Sequence, residues 1–284
     1  MMILVDYSQV TISNIMMQYK TFGSLDEGMI RHMILNSIRA YRKKFSDKYG
    51  ELVICCDDRH YWRKDLYPEY KGHRKKDQAN DDFDWNTLFK HLNTIKDELR
   101  EFFPYQVIQA ETAEADDIIG TLCHQFGSQL GGDPILILSG DKDFKQLQVY
   151  SNVDQYAPVQ KKWIKEPNAA MFLKEHILIG DKGDGIPNFL SDDKCLIEGR
   201  RQKPLGAKKI SKWVNETPED FCDENMLRGY KRNEQLVDLN FIPAVVRDDI
   251  LSKYNDDVSV GRSKLFNYFV SHKLKNLMQS LSDF

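Results

Sequence analysis

Ile135-Leu136-Ile137-Leu138-Ser139-Gly140-Asp141-Lys142-Asp143 is the stretch from which the architecture is read. Its four apolar residues follow Gly131-Gly132 and stop at Ser139-Gly140. The run is short for a helix and has no polar face, so it reads as a strand buried on both sides, and acids stand directly behind it. The pattern recurs along the chain. Ile3-Leu4-Val5 runs into Asp6, and Leu52-Val53-Ile54-Cys55-Cys56 runs into Asp57 and Asp58. A third strand, Tyr105-Gln106-Val107-Ile108, precedes a helix that opens Glu114-Ala115-Asp116-Asp117.

Between these strands the apolar period changes to three and four. Met29, Ile30, Met33, Ile34, Ile38, Tyr41 and Phe45 mark a helix over 26–45. Leu88, Leu92, Ile95, Leu99 and Phe102 mark a second, ended by Pro104, and Ile118, Ile119, Leu122, Cys123 and Phe126 a third. Strands alternating with helices predict an α/β fold with a mostly parallel central sheet flanked by helices. After about Tyr156 the strand signals fade, and helical patterns dominate from Pro167 onward, notably over 265–281. This places an α/β domain at 1–180 and a helical region at 181–284.

The 284 residues, 41% hydrophobic and 29% charged, have an ordinary globular composition. No apolar run approaches the roughly 20 residues of a membrane helix, and Met1 to Asp6 shows no signal-peptide pattern. Five cysteines without a CxxC pair argue against a disulfide framework or a zinc knuckle and fit a reducing cytoplasm. The net charge of −3 masks a division. Setting aside the nine acids singled out here leaves 34 acidic residues against 40 basic, a mildly basic body of +6 around an acidic hole. Such a body suits metal-dependent chemistry on a polyanion.

Ligands of open α/β sheets sit at the carboxyl ends of strands, and here those ends carry Asp6, Asp57, Asp141 and Asp143, with Glu114, Asp116 and Asp117 opening a helix beside them. Glu114 and Asp117, three apart, share a helical face, which sends Asp116 elsewhere unless the first turn is distorted. Single acids at helix starts are ordinarily caps, and Glu114, Asp116 or Asp58 alone would be read so. Asp6, Asp57, Asp117 and Asp141 together are different. Two unit charges 4 Å apart repel by roughly 4 kcal/mol at an effective dielectric near 20, and divalent cations turn that repulsion into binding. Hard oxygen donors without His or Cys point to Mg²⁺ or Mn²⁺. Asp181 and Asp184, in Gly180-Asp181-Lys182-Gly183-Asp184-Gly185, stand just past the sheet and are candidates for the same crevice.

Basic residues complete the pattern. Tyr67-Pro68-Glu69-Tyr70-Lys71-Gly72-His73-Arg74-Lys75-Lys76 follows Tyr61-Trp62-Arg63-Lys64 and interleaves rings with cations. That composition suits a segment gripping a single strand over the acids, Tyr70 offering a ring and Lys71, Arg74, Lys75 and Lys76 charge. A solvated loop is the plainer reading; its place directly after Asp57 favours the functional one. Gly206-Ala207-Lys208-Lys209 opens a helix that offers backbone N–H groups, Lys208 and Lys209 to a phosphate. The seven histidines are scattered and form no pair at metal spacing. No Ser–His–Asp set, Walker loop or dinucleotide fingerprint is present.

Taken in order, Asp6, Asp57, Tyr61-Trp62-Arg63, Pro68 to Arg74, Glu114 to Asp117, Ser139 to Phe144, Gly180 to Asp184 and the ending from Asn267-Tyr268-Phe269 resemble the 5′-nuclease (flap endonuclease) family, most closely its phage ribonuclease H members, over nearly the whole chain. The resemblance implies a PIN-like core, a helical arch about 59–85 and a helix-three-turn-helix in the C-terminal region. It implies Mg²⁺-dependent 5′→3′ exonuclease and 5′-flap endonuclease activity on duplex DNA and on the RNA of RNA–DNA hybrids, with removal of replication primers in an infected bacterial host cell's cytoplasm. Two Mg²⁺ are implied, with Mn²⁺ as substitute. Asp6, Asp57, Asp117 and Asp141 would hold the first, assisted by Glu114 or Asp116; Asp143, Asp181 and Asp184 would hold the second, partly through water. Lys71 and Arg74 would contact the scissile phosphate. The implied partners are DNA with a 5′ flap, nick or fork, RNA–DNA hybrid, and a single-strand-binding protein and sliding clamp; no membrane partner is expected. The family's Gly-Ile-Gly turn is missing, and Asn188 to Lys203 intervenes before Pro204-Leu205-Gly206, which weakens the expectation of a monovalent-ion site there. Two other readings stay open on the residues alone: a PIN-like single-stranded ribonuclease, usually near half this length, and a non-catalytic nucleic-acid-binding subunit, which would not need the acids.

Overall fold

The computed structural model describes residues 1–23, 26–74, 83–256 and 262–284, the side chains of 20–22 excepted. Six strands form one sheet: β1 (Met2–Asp6), β2 (Leu52–Cys55), β3 (Gln106–Ile108), β4 (Ile135–Leu138), β5 (Val153–Ala157) and β6 (Lys162–Ile164), in the order β3-β2-β1-β4-β5-β6. The first five are parallel, and β6 returns antiparallel at the edge. Val5 pairs with Ile54 on one side and Leu138 on the other, so the carboxyl ends of β1, β2 and β4 finish level. The residues that follow them open at the same edge.

The described helices are α1 (Tyr7–Phe22), α2 (Glu27–Tyr49), α3 (Trp62–Leu66), α4 (Trp85–Phe102), α5 (Ala115–Phe126), α6 (Ala169–Ile179), α7 (Ala207–Trp213), α8 (Pro218–Phe221), α9 (Glu224–Val237), α10 (Ala244–Asn255), α11 (Leu265–Ser271) and α12 (Lys275–Met278). None is long and apolar enough to cross a membrane among the described residues. Pleating sorts the strand side chains into two cores. Ile3, Val5, Leu52, Ile54, Leu136 and Leu138 face one, with Ile34, Ile38, Leu92 and Leu99 of α2 and α4. Met2, Leu4, Val53, Cys55, Ile135 and Ile137 face the other, with Ile118, Ile119 and Leu122 of α5. Burial on both faces is why these strands are apolar throughout rather than alternating. The C-terminal region completes both cores: Leu265, Tyr268, Phe269 and Phe284 enter the first, and Leu239, Ile242, Val246 and Ile250 the second.

The parallel core, the strands at 3–5, 52–55, 106–108 and 135–138, and the helical C-terminal region agree with the pattern in the sequence. The remaining elements do not announce themselves. Helix α1 begins one residue after β1, and its stretch is rich in Ser, Thr, Asn and β-branched residues, which are modest helix formers. Asp6 caps it by accepting from the Gln9 N–H at 3.0 Å. Strand β5 lies where the strand signals fade because its central Gln155 is polar yet fully buried. The Gln155 amide donates to the carbonyl oxygens of Ser139 at 3.0 Å and Asp141 at 2.6 Å, and so holds the turn after β4.

Candidate active site

Three level strand ends and one helix start converge on a cleft of about 260 Å³ lined by Asp6, Asp57, Asp116, Asp141 and Asp184, with Ser8, Gln9, Lys71 and Arg74. Hydroxyls orient two of the carboxylates. Ser139 Oγ donates to Asp6 Oδ2 at 3.0 Å, and Ser8 Oγ donates to Asp57 Oδ2 at 2.6 Å. The other oxygen of Asp57 accepts from the Ala115 N–H at 2.9 Å, which fixes the start of α5 against the end of β2. Asp141 accepts from the Asp143 N–H at 3.0 Å and thereby starts a 3-10 helix over Lys142–Val149.

Glu114 and Asp117 lie beneath this cleft instead of in it. Arg63, 2% exposed, reaches Glu114 Oε2 at 3.1 Å and Asp117 Oδ1 at 2.8 Å. Trp62 Nε1 donates to Asp117 Oδ2 at 3.1 Å, and the same oxygen accepts from the Glu114 N–H at 2.8 Å. The expected order of Asp116 and Asp117 is therefore reversed. Asp117 is the first-turn acid turned back to cap its own helix start, and Asp116, one residue earlier, faces the cleft. Helical spacing between Glu114 and Asp117 was a sound guide to a shared face, but that face is the buried one.

Tyr70 is also corrected. Its ring is 2% exposed and its hydroxyl lies 2.8 Å from Glu114 Oε2 and 3.0 Å from Asp184 Oδ2, so it offers no face to a base. Lys71 and Arg74 do reach the acids: Lys71 Nζ is 2.5 Å from Glu114 Oε1 and 3.6 Å from Asp184 Oδ2, and Arg74 Nη2 is 2.7 Å from Asp184 Oδ1. Lys71 has φ 53, and its N–H donates to the Asp184 carbonyl at 2.7 Å, which stitches the basic segment to the Gly180–Gly185 loop. Of the expected arch at 59–85, residues 75–82, Lys75 and Lys76 among them, lie outside the described residues. Lys208 and Lys209 are exposed at the start of α7, with the Lys209 ammonium 5.5 Å over the Trp213 ring.

Asp143 and Asp181 meet beside the cleft, and a histidine stands with them. His176 Nε2 is 2.9 Å from Asp143 Oδ1 and 3.8 Å from Asp181 Oδ2. Gly180, at φ 72, makes the turn that delivers Asp181; a Cβ there would stand 2.4 Å from the Pro187 carbonyl. The sequence signal for His176 was absent because it lies 33 residues from Asp143. Arg63, Trp62, Ser8, Ser139 and Gln155 carry no site role in the sequence reading, although Trp62, Arg63 and Ser139 stand in its motifs, since each acts by supporting an acid across the fold.

The electrostatics describe crowded negative charge. Burial, then Asp57, pushes the Asp6 carboxyl up to about 7. Burial, then Asp143, pushes Asp141 up to about 6. Burial and Asp141 drive Asp116 well above the ordinary range despite Lys71. Burial pushes the Asp184 carboxyl up, but Lys71, Arg74, the Tyr70 hydroxyl and Arg63 together hold it below the ordinary range. Oxygen donors that hold protons so tightly are matched to hard divalent cations, which supply the missing positive charge. A pH dependence follows. Asp6 and Asp141 bind protons more tightly folded than unfolded, so their stabilising contribution is complete below about pH 4 and is lost as pH rises through about 6 and 7. Without divalent ions, Tm should fall between pH 5 and 8, and Mg²⁺ should offset most of the fall; a Tm flat across that window would contradict the crowding.

Comparison with known proteins gives the family and the fold. Residues 4–175 match the 5′-3′ exonuclease N-terminal resolvase-like domain, and residues 168–284 match the T4 RNase H C-terminal domain. Ribonuclease H of Enterobacteria phage T4 is 33% identical over 291 residues, covering 99% of this chain and 95% of that protein. A phage T5 protein co-crystallised with metal ions superposes with a TM-score of 0.63 at 19% identity, covering 90% of this chain and 97% of the other. The bacteriophage T5 flap endonuclease in a pseudo-enzyme–product complex with DNA and metal ions gives a TM-score of 0.60 at 18% identity, covering 90% and 99%.

Proposed function

Because this chain belongs to the 5′-3′ exonuclease family, we propose that it is a Mg²⁺-dependent 5′→3′ exonuclease and 5′-flap endonuclease, hydrolysing duplex DNA and the RNA of RNA–DNA hybrids and removing RNA primers during phage DNA replication in the host cytoplasm. The observation that carries this reading is the convergence of Asp6, Asp57, Asp116, Asp141 and Asp184 on one cleft rimmed by Lys71 and Arg74. Sequence similarity to the T4 ribonuclease H supports the RNA–DNA hybrid, and the DNA in the T5 flap endonuclease complex supports a flapped or nicked duplex.

In this reading Asp6, Asp57, Asp116 and Asp141 hold one divalent ion, and Asp143, Asp181 and Asp184 hold a second. Glu114 and Asp117 support them from below. When bound, the ions supply an activated water and positive charge opposite the leaving oxygen. The chain's own residues place the phosphate. Lys71, fixed between Glu114 and Asp184, and Arg74, on the outer side of Asp184, present fixed positive charge where negative charge grows in an in-line displacement. Asp184 is the counterion that keeps both aimed. Residues 1–180 form the nuclease part and residues 181–284 the part that grips duplex, with Lys208 and Lys209 on its exposed face.

Lys71→Ala should lower the cleavage rate roughly 10²-fold or more, as removal of a fixed transition-state cation does, and change the salt slope of binding by less than about one unit. Single-turnover kinetics beside a salt titration separate the two effects, and an unchanged rate would remove Lys71 from the mechanism. The whole reading is tested by Mg²⁺-dependent digestion of a 5′-labelled nicked RNA–DNA hybrid beside a 5′-flap substrate. Preference for single-stranded RNA over both would favour a PIN-like ribonuclease instead.

A further inference from the structure

We propose that His176 is a nitrogen ligand of the second metal position, adding an imidazole to its carboxylates and giving it a preference for Mn²⁺ over Mg²⁺. This rests on the reading of Asp143 and Asp181 as metal ligands given above. His176 is 5% exposed and sits in the last turn of α6. One donor atom each from Asp143, His176 and Asp181 falls within 4.8 Å of the others. Cis ligands on an ion with bonds near 2.1 Å are about 3 Å apart. The 2.9 Å and 3.8 Å contacts of Nε2 therefore need adjustments of less than about 1 Å to become cis-ligand separations, and the two carboxylates, within 4.8 Å of each other, close on the same point.

The imidazole is held for this purpose from behind. Its ring stacks on Phe172 with centroids 5.6 Å apart, and the Lys145 ammonium lies 4.8 Å over the other ring. Asp181 spends Oδ1 on the Gly183 N–H at 2.7 Å, which leaves Oδ2 pointing toward His176. One cation shares that oxygen: Lys142 Nζ, at 3.0 Å. Its side chain is half exposed on a flexible stem and can swing to solvent as an ion enters. A histidine that only steadied Asp143 would need one carboxylate; here two address the same nitrogen. A 2.9 Å nitrogen–oxygen contact is bridged by a proton, and a divalent ion between the three atoms takes that proton's place. Imidazole suits the later divalent metals, whereas Mg²⁺ prefers oxygen and sheds water reluctantly.

Pulsed EPR of Mn²⁺ bound to the full-length wild-type chain tests this directly. Nitrogen modulation from a coordinated imidazole is expected, and it should vanish in His176→Gln. Calorimetric titration should show one Mn²⁺ site weakened roughly 10–100-fold in that variant, with Mg²⁺ affinity changed less than about threefold. Stoichiometric Mn²⁺ uptake without nitrogen modulation in the wild type would overturn the inference and leave the metal-site reading standing. No uptake of Mn²⁺ at all would remove the reading beneath it. The wild-type spectrum decides the matter even if His176→Gln proves unstable.

Discussion

Asp141→Asn is expected to give a folded protein that binds nucleic acid as well as or better than the wild type and cleaves it at least roughly 10³-fold more slowly. Asp141 is the acid through which the two groups of acids touch: it lines the cleft with Asp6 and Asp116, and its electrostatic neighbours also include Asp143, Asp181 and Asp184. Removing its charge takes away a carboxylate that, in the reading proposed above, holds the first divalent ion. The same change relieves repulsion, so the variant's Tm without divalent ions should equal or exceed that of the wild type. Mg²⁺ should then raise Tm less in the variant, because stabilisation by an ion follows its affinity for the folded state. Single-turnover cleavage, a binding isotherm and melts with and without Mg²⁺ measure all three. Near-normal turnover would count heavily against the site.

Arg63→Ala should do the opposite kind of damage. Arg63 is buried against the Trp62 ring at 4.5 Å, paired to Glu114 and Asp117, and donates from Nε to the Leu236 carbonyl at 3.0 Å. Its loss leaves Glu114 and Asp117 with less compensation where water cannot reach. Breaking a buried ion pair from one side costs about 3–5 kcal/mol, which for a chain of this length lowers Tm by on the order of 10 °C. Adding Glu114→Gln and Asp117→Asn should recover much of the loss, because it is the stranded charge that destabilises. A Tm within about 2 °C of the wild type would mean that the two acids accept protons at little cost. On the same logic, Asp117→Asn alone should change stability more than metal affinity, and Asp116→Asn the reverse.

What could be read in the sequence was whatever repeats locally. The runs at 3–5, 52–55 and 135–138 are apolar because both faces are covered, and the acids behind them are one or a few residues away, so strands and acids were found together. What escaped was decided across the fold. Nothing within a few residues of Asp117 says that Arg63 will be there to hold it, 54 positions earlier, so its neighbour Asp116 was ranked behind it. Tyr70 carried the composition of a base-stacking residue, but its ring packs with Tyr67, Ile186, Leu236 and Val237 while its hydroxyl reaches Glu114 and Asp184. Gln155 concealed a strand because its amide serves two carbonyls of the turn after β4. Histidine pairs at short spacing were sought, while His176 meets Asp143 from 33 residues away.

The seam near residue 180 has a consequence for dissection. Lys71 N–H reaches the Asp184 carbonyl, Arg63 reaches Leu236, Gln146 donates to the Val237 carbonyl, and residues from 239 to 284 finish both cores. A truncation at 180 would strip hydrophobic surface from both sides of the sheet and leave main-chain partners unmatched. The halves visible in the letters are thus not modules to be cloned apart or exchanged between relatives at that point: the folded molecule stands or falls as a unit.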